Sequence, residues 1–298
     1  MNKKYAFFDL MDTIVKPPTQ NQKNSWLHQQ GIKKESIGYD WLLAGFAQAL
    51  FALETNLSFK YLRDYYLVND FSSIEEMAWA AEKLSISKRK INQSTLETTI
   101  NYTNFLVENT VIYPNTEEVL SLMKEEGYLI YLVSNLMSPY KSIINNLDLK
   151  KWFKRFFISC EIGYQKPNNK IFQEALKSTD SSPNESIFIG DNWDSDILGA
   201  IKLNIDAIFI NRNKQGIPNH LMNYGLKGLL ETNSDGQIQV KKELIPIIKP
   251  FLPNQKFDFE GDIMKEVYKD SKGLIQPKSL NRVIYVNDVN ELNNILIN

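Results

Sequence analysis

Short apolar runs closed by an acid or a glycine recur along this chain, and they set out its elements. Tyr5, Ala6, Phe7 and Phe8 form one such run, ended by Asp9. That is the pattern of a buried strand delivering a carboxylate to its C-terminal end. From about Asn115 onward, strand-like and helix-like segments alternate as in a parallel sheet with crossover helices. Strands are predicted at 128–133, 155–159, 186–189, 206–210 and 282–286. Between them, 115–127 reads as a helix with a cap-like Asn115, Glu118 three residues on, an apolar face of Val119, Leu120 and Met123, and Gly127 as its stop. Ser138-Pro139 reads as a further helix start, 168–177 as a helix, and 289–297 as a closing helix.

The stretch from Pro17 to Asn109 has a different period. It holds few strand signals and several helix starts, with Ser73/Glu76 and Ser94/Glu97 spaced as capping boxes. Residues 40–54 are apolar almost all round, which predicts a buried helix in a small bundle. An all-helical domain inserted after the first strand is therefore expected. Residues 214–281 carry Pro246, Pro250 and Pro253 and an acidic, aromatic patch at 257–262, and read as a loop-rich elaboration of the sheet edge.

Composition narrows the function classes. With 43% hydrophobic and 23% charged residues over 298 positions, the chain can bury a substantial core, in two domains with an extra segment. A net charge of −1 supplies no global field toward nucleic acid or an anionic membrane, so neither partner is expected. No apolar stretch approaches the roughly 20 residues of a membrane span, and the start carries no cleavable signal pattern. The single Cys160 excludes an internal disulfide framework and fits a reducing, cytoplasmic setting. With only His28, His220 and that cysteine, a His/Cys zinc site is not expected.

The candidate chemistry falls at the ends of predicted strands, where open α/β sheets place their ligands. Ser134 and Asn135 follow 128–133. A hydroxyl and free backbone N–H groups there can hold a phosphate oxygen, or simply make a helix-approach turn. Lys166 precedes Pro167 ahead of a helix, which keeps it out of that helix. It can offset a dianionic group or be a solvated surface lysine. Ile187-Phe188-Ile189-Gly190-Asp191 is a strand with a glycine turn and an acid, followed by Asp194 and Asp196. Asp9 and Asp191, each at a strand end, are placed to share one hard cation, and magnesium favours such oxygen ligands. The spacing excludes an EF-hand calcium loop.

In this order, FFDLMDT, LVSN, GYQKPNNKIF and IGDNWDSD resemble the four motifs of the haloacid dehalogenase-like (HAD) hydrolase superfamily, and the inserted helices resemble its type-1 cap. The resemblance implies an α/β fold with a Rossmann-like parallel sheet core and an inserted all-helical cap domain. The core would span 1–15, 110–213 and 282–298, the cap 16–109, and the insertion 214–281. It implies Asp9 as a nucleophile forming an aspartyl-phosphate, Ser134, Asn135, Thr13 and Lys166 as phosphate-binding groups, and Mg2+ held by Asp9, Asp191 and the backbone carbonyl of Met11. Asp196 would position Lys166 or complete the outer shell of the metal.

One position departs from that pattern. Thr13, four residues after Asp9, fixes the register, so Met11 stands where family phosphatases carry a second Asp. A thioether moves no proton, and Asp12, one residue on, would replace the missing acid only after a local rearrangement, because adjacent side chains point differently. General acid/base help is worth about 10²–10⁴ in rate. The resemblance therefore implies a Mg-dependent phosphatase of a small phosphorylated metabolite with weakened acid/base catalysis. Two alternatives stand beside it: a catalytically silent phosphate-binding or scaffold protein, and a dehalogenase- or phosphonatase-like hydrolase. The dehalogenase branch needs a halide-binding arginine, for which Arg63 and Arg89 are the cap's candidates. Residues 214–281 are a candidate surface for a homo-oligomer or protein partner.

Overall fold

The structure, a computed structural model, describes residues 4–36, 38–86, 88–210, 212, 230–232, 238–240, 257–260, 263–266, 274–275, 283–286 and 288–297. Its strands in chain order are β1 (Tyr5–Phe8), β2 (Val15–Lys16), β3 (Val111–Ile112), β4 (Leu129–Ser134), β5 (Phe156–Ile158), β6 (Ser186–Gly190), β7 (Asp206–Ile210), β8 (Leu230–Thr232), β9 (Ile238–Val240), β10 (Phe257–Glu260), β11 (Ile263–Glu266), β12 (Leu274–Ile275) and β13 (Val283–Val286). The chain forms two compact units. One comprises Met1–Asp9, Asn115–Ile130 and Lys166–Asn298; the other comprises Leu10–Pro114 and Tyr131–Gln165.

In the first unit β1 pairs in parallel with β6, with Phe7 opposite Phe188 and Phe8 opposite Ile189. Strand β6 pairs in parallel with β7, and β7 with β13. The Leu129 N–H donates to the Lys4 carbonyl at 2.8 Å, so β4 starts beside β1. Ala6, Phe7, Phe8 and the whole of β6 are buried, the expected state of parallel strands covered on both faces. Helix Asn169–Thr179 packs its Phe172 ring edge-on to Phe188, centroids 5.2 Å apart. Asn168 caps that helix by accepting the Lys170 N–H at 3.0 Å.

Three expectations for this unit change. Helix Thr116–Glu125 forms, but Asn115 lies at φ 61 and makes no side-chain cap, because an N-cap oxygen reaches the first turn from extended backbone. Gly127, at φ 86, ends it as read. The closing segment is a 3₁₀ turn, Val289–Leu292, followed by a π turn, Asn293–Ile297, and not an α-helix. Asn290, Asn293 and Asn294 are weak helix formers that favour such local turns. The described parts of 214–281 include an antiparallel sheet in the order β10-β11-β9-β8, and only β12 extends the main sheet's edge, antiparallel to β13. Phe257-Asp258-Phe259-Glu260 alternates with period 2, a strand signal that its acidic, aromatic composition masks. The three prolines and the rest of that segment lie outside the described residues.

The second unit holds the helices Gln20–Gln29, Tyr39–Leu43, Ala49–Thr55, Phe59–Leu67, Ile74–Leu84 and Gln93–Glu108. Thr19 and Gln22 form a capping box at the start of the first of these helices. The helix expected across 40–54 is broken at Gly45, whose φ of 93 ends the first piece. Phe51, Leu62, Tyr66, Met77 and Met137 form one apolar cluster; Leu27, Leu42, Tyr102 and Leu106 form another. Ser73 caps its helix by accepting the Glu76 N–H at 3.2 Å, while Glu76 reaches back to Ser72 and leaves the box half made. Ser94 lies inside its helix. The cap there is Asn92, which accepts the Thr95 N–H at 2.8 Å, and Glu97 takes the Gln93 side chain instead. The end of β4 pairs in parallel with β5, with Ser134 opposite Ile158.

Ser138 starts a 3₁₀ turn, Ser138–Lys141, and caps nothing. Its hydroxyl accepts the Phe71 N–H at 2.9 Å and donates to Asp70 at 2.7 Å, while Lys141 bridges Asp70 at 2.8 Å and Glu161 at 3.1 Å. Partial burial pushes the Asp70 carboxyl up, but the bonds from Lys141 and Ser138 outweigh it and hold it below the ordinary range. A depressed carboxyl contributes stability above its unfolded value of about 3.9 and loses it as pH falls further. Asp70→Asn is therefore expected to flatten the acid limb of the stability curve below about pH 4, checked by urea midpoints from pH 3 to 7.

Candidate active site

Chain direction and register put three acids and a lysine at one end of the first unit's sheet. β1 and β6 run in parallel, and the Asp9 N–H donates to the Ile189 carbonyl at 2.9 Å, so Asp9 and Asp191 follow adjacent strands. Lys166 sets its ammonium 2.6 Å from Asp9 Oδ1 and 2.8 Å from Asp196 Oδ1, its side chain 1% exposed. The ammonium also stands 5.2 Å from the centroid of the Phe188 ring. That burial excludes a solvated surface lysine. It would by itself lower the ammonium's pKa, but the charges of Asp196 and Asp9 prevail and hold it above the usual lysine range.

Asp196 is fully buried, and both its oxygens are engaged. Oδ2 accepts the Asn192 N–H at 3.0 Å, while Oδ1 takes the Ser195 hydroxyl at 3.0 Å besides Lys166. Gly190 makes room for this carboxylate, since a Cβ there would lie 2.3 Å from Asp196 Oδ2. Asn192 accepts the Ser195 N–H at 2.9 Å and so caps the turn that carries the acids, and Asp194 is exposed. Asp9, Asp191 and Asp196 each offer a carboxylate oxygen, all within 4.8 Å of one another. Lys166 offsets one of these three charges. Hard oxygen donors with excess negative charge are the donor set that fits a divalent cation such as magnesium.

Other residues singled out in the sequence belong to the second unit. Met11 bridges to Val15, and the Asp12 N–H donates to the Val15 carbonyl at 2.8 Å, closing a tight turn. Asp12 lies at φ 56, left-handed backbone that glycine adopts most easily. Thr13 is fully buried. Ser134, at the end of β4, is buried, and among the described residues its Oγ has no hydrogen-bond partner. Leaving such a group unpaired costs about 1–3 kcal/mol, so the position suits a bound acceptor. Asn135 follows, half-buried. The next amide, Leu136 N–H, donates to Ser159 Oγ at 3.1 Å. Sequence reasoning missed Phe188, Ser159 and the space-making role of Gly190. The glycine turn was the one legible sign.

A family model of haloacid dehalogenase-like hydrolases matches residues 3–204, more than half of the chain. The chain belongs to this family. Glyceraldehyde 3-phosphate phosphatase of Methanothermobacter thermautotrophicus is 34% identical over 101 residues, which are 33% of this chain and 44% of that one. Pyrimidine 5'-nucleotidase YjjG of Escherichia coli is 25% identical over 143 residues, 47% of this chain and 60% of that one. The match thus spans less than two thirds of either relative. Among solved structures, magnesium-bound YfnB of Bacillus subtilis aligns with a TM-score of 0.53 at 15% identity, covering 99% of this chain and 98% of that one. The L-2-haloacid dehalogenase of Xanthobacter autotrophicus aligns at 0.52 and 13% identity, with the same coverage. Both likenesses concern the fold: a parallel sheet with surrounding helices and an inserted helical segment. Among the described residues no helix is long and apolar enough to cross a membrane.

Proposed function

We propose that this chain is a magnesium-dependent phosphatase of small phosphorylated metabolites, working through an aspartyl-phosphate on Asp9. The observation that carries the reading is Lys166 held between Asp9 and buried Asp196, with Asp191 beside them. Phosphatase names among the relatives support it, as does an acid cluster suited to magnesium.

In this reading Asp9 attacks phosphorus while Lys166 neutralises the phosphoryl oxygens. Asp196, with both oxygens engaged, positions Lys166, which leaves Asp9, Asp191 and the Met11 carbonyl to hold magnesium. When bound, the cation offsets charge on the transferring group. The unpartnered Ser134 hydroxyl and the backbone of Asn135 take phosphoryl oxygens, Thr13 supports the turn after the nucleophile, and Asp12 stays beside that turn. Residues 16–109 act as a substrate-selecting cap on a core of 1–15, 110–213 and 282–298. A cytoplasmic setting suits the lone Cys160, whose thiol burial pushes up to about 11.

Ser134→Ala is expected to lower kcat/KM about 10²-fold, the usual cost of one transition-state donor. Its urea midpoint should stay the same or rise, because an unsatisfied buried hydroxyl is removed. Equal activity in both proteins would remove Ser134 from the site.

Met11 favours a second reading, a catalytically silent phosphate binder. Magnesium binding at Asp9 and Asp191 without turnover of any phosphate ester would establish it. The dehalogenase-like alternative is weakened by its arginines: Arg63 is engaged by its neighbour Asp64 at 2.8 Å, and Arg89 is exposed.

A further inference from the structure

The carboxylate of Asp196, which holds Lys166, has to be held itself. The torsion that turns a carboxylate about its last carbon–carbon bond is soft, so hydrogen bonds set its plane. Gly190 clears space beside Oδ2 rather than gripping it. Oδ2 is pinned by the Asn192 N–H at 3.0 Å, and Oδ1 by the Ser195 hydroxyl at 3.0 Å. Oδ1 is also the oxygen that the Lys166 ammonium reaches at 2.8 Å, while it stands 2.6 Å from Asp9 Oδ1. Ser195 therefore holds the same atom that anchors the ammonium beside the nucleophile. Asp9, Lys166, Asn192, Ser195 and Asp196 all belong to the first unit, so each of these distances is internal to it.

The turn itself does not need that hydroxyl. The Asp196 and Ile197 N–H groups both donate to the Asn192 carbonyl, at 2.9 and 3.3 Å, and the Ser195 N–H donates to Asn192 Oδ1 at 2.9 Å. Backbone and Asn192 close the turn by themselves. Among the described residues the Ser195 hydroxyl makes its single bond to Asp196. Ser195 is half-buried, with solvent as an alternative partner, yet its hydroxyl is spent on a buried carboxylate.

We propose that Ser195 is a positioning residue of the active site, fixing Asp196 Oδ1 and thereby the place of the Lys166 ammonium against Asp9. This assignment rests on the phosphatase reading of Asp9 and Lys166. A displaced ammonium matters most in the transition state, where the charge on the transferring group has to be met in place.

The test compares wild type, Ser195→Ala, Ser195→Thr, Asp196→Asn and the Ser195→Ala/Asp196→Asn double variant on p-nitrophenyl phosphate with magnesium. Ser195→Ala should lower kcat roughly 3- to 10-fold, the worth of one hydrogen bond, with KM within about twofold. Ser195→Thr, which keeps the hydroxyl, should restore kcat. Adding Ser195→Ala to Asp196→Asn should cost nothing further, because the serine acts through the carboxylate. An unchanged kcat in Ser195→Ala, or the same loss in both backgrounds, overturns the proposal. A second readout needs no turnover: the ¹⁵N resonance of the Lys166 ammonium, assigned by its absence from Lys166→Arg. That ammonium lies 5.2 Å from the Phe188 ring centroid, so the ring's field makes its signal sensitive to small displacements. The signal should move in Ser195→Ala and return in Ser195→Thr; a signal that stays in place overturns the proposal. If wild type turns over no phosphate ester, the phosphatase reading fails, and the ammonium signal alone decides about Ser195. It decides likewise if Asp196→Asn fails to fold.

Discussion

Asp9→Asn is expected to lower kcat on an aryl phosphate by ~10⁴-fold or more, the scale seen when a covalent nucleophile is removed. The amide keeps the size and the strand-end position of Asp9 but cannot attack phosphorus. Lys166 keeps its 2.8 Å contact with Asp196, so the lysine should hold its place. Circular dichroism and a thermal melt near wild type would show that the loss is chemical. A loss below about tenfold would mean that phosphorus is attacked by something other than residue 9.

Met11→Asp is expected to act in the opposite direction, and unequally across substrates. A carboxyl at position 11 can protonate a leaving oxygen and then activate water, help worth about 10²–10⁴. Alkyl phosphates, whose leaving group needs that proton, should gain most of this range. Aryl phosphates leave as stable anions and should gain less than tenfold. The check is kcat/KM for an alkyl and an aryl phosphate in both proteins, read as a ratio. Equal gains on both would place the carboxyl in phosphate binding. No gain on either would show that position 11 does not reach the leaving oxygen.

The strands carrying Asp9, Ser134 and Asp191 were legible because buried parallel strands are near-continuous apolar runs, and each ends where its functional residue begins. Lys166 and Asp196 were legible as residues but not as a pair. Their contact joins positions thirty apart through a carboxylate tucked against Gly190, and no local pattern encodes that. The helix caps were less legible. Asn115 and Ser94 have the right chemistry, but left-handed backbone at one and an earlier cap at Asn92 for the other decide the outcome. Gly45 breaking the 40–54 run shows the same limit, since the apolar pattern continues across a residue whose backbone does not. Lys23, buried on helix Gln20–Gln29, gave no signal, because a lysine at a buried helix position reads from sequence as one more solvated charge.

If phosphate passes through a covalent bond to Asp9, that bond can be trapped. The protein would be mixed with p-nitrophenyl phosphate and magnesium, quenched in acid within the first turnover, reduced with borohydride and mapped by mass spectrometry. Homoserine is expected at position 9, dependent on substrate and absent from Asp9→Asn. Phosphate release with an unmodified aspartate at position 9, or a trapped adduct at another residue, would contradict it.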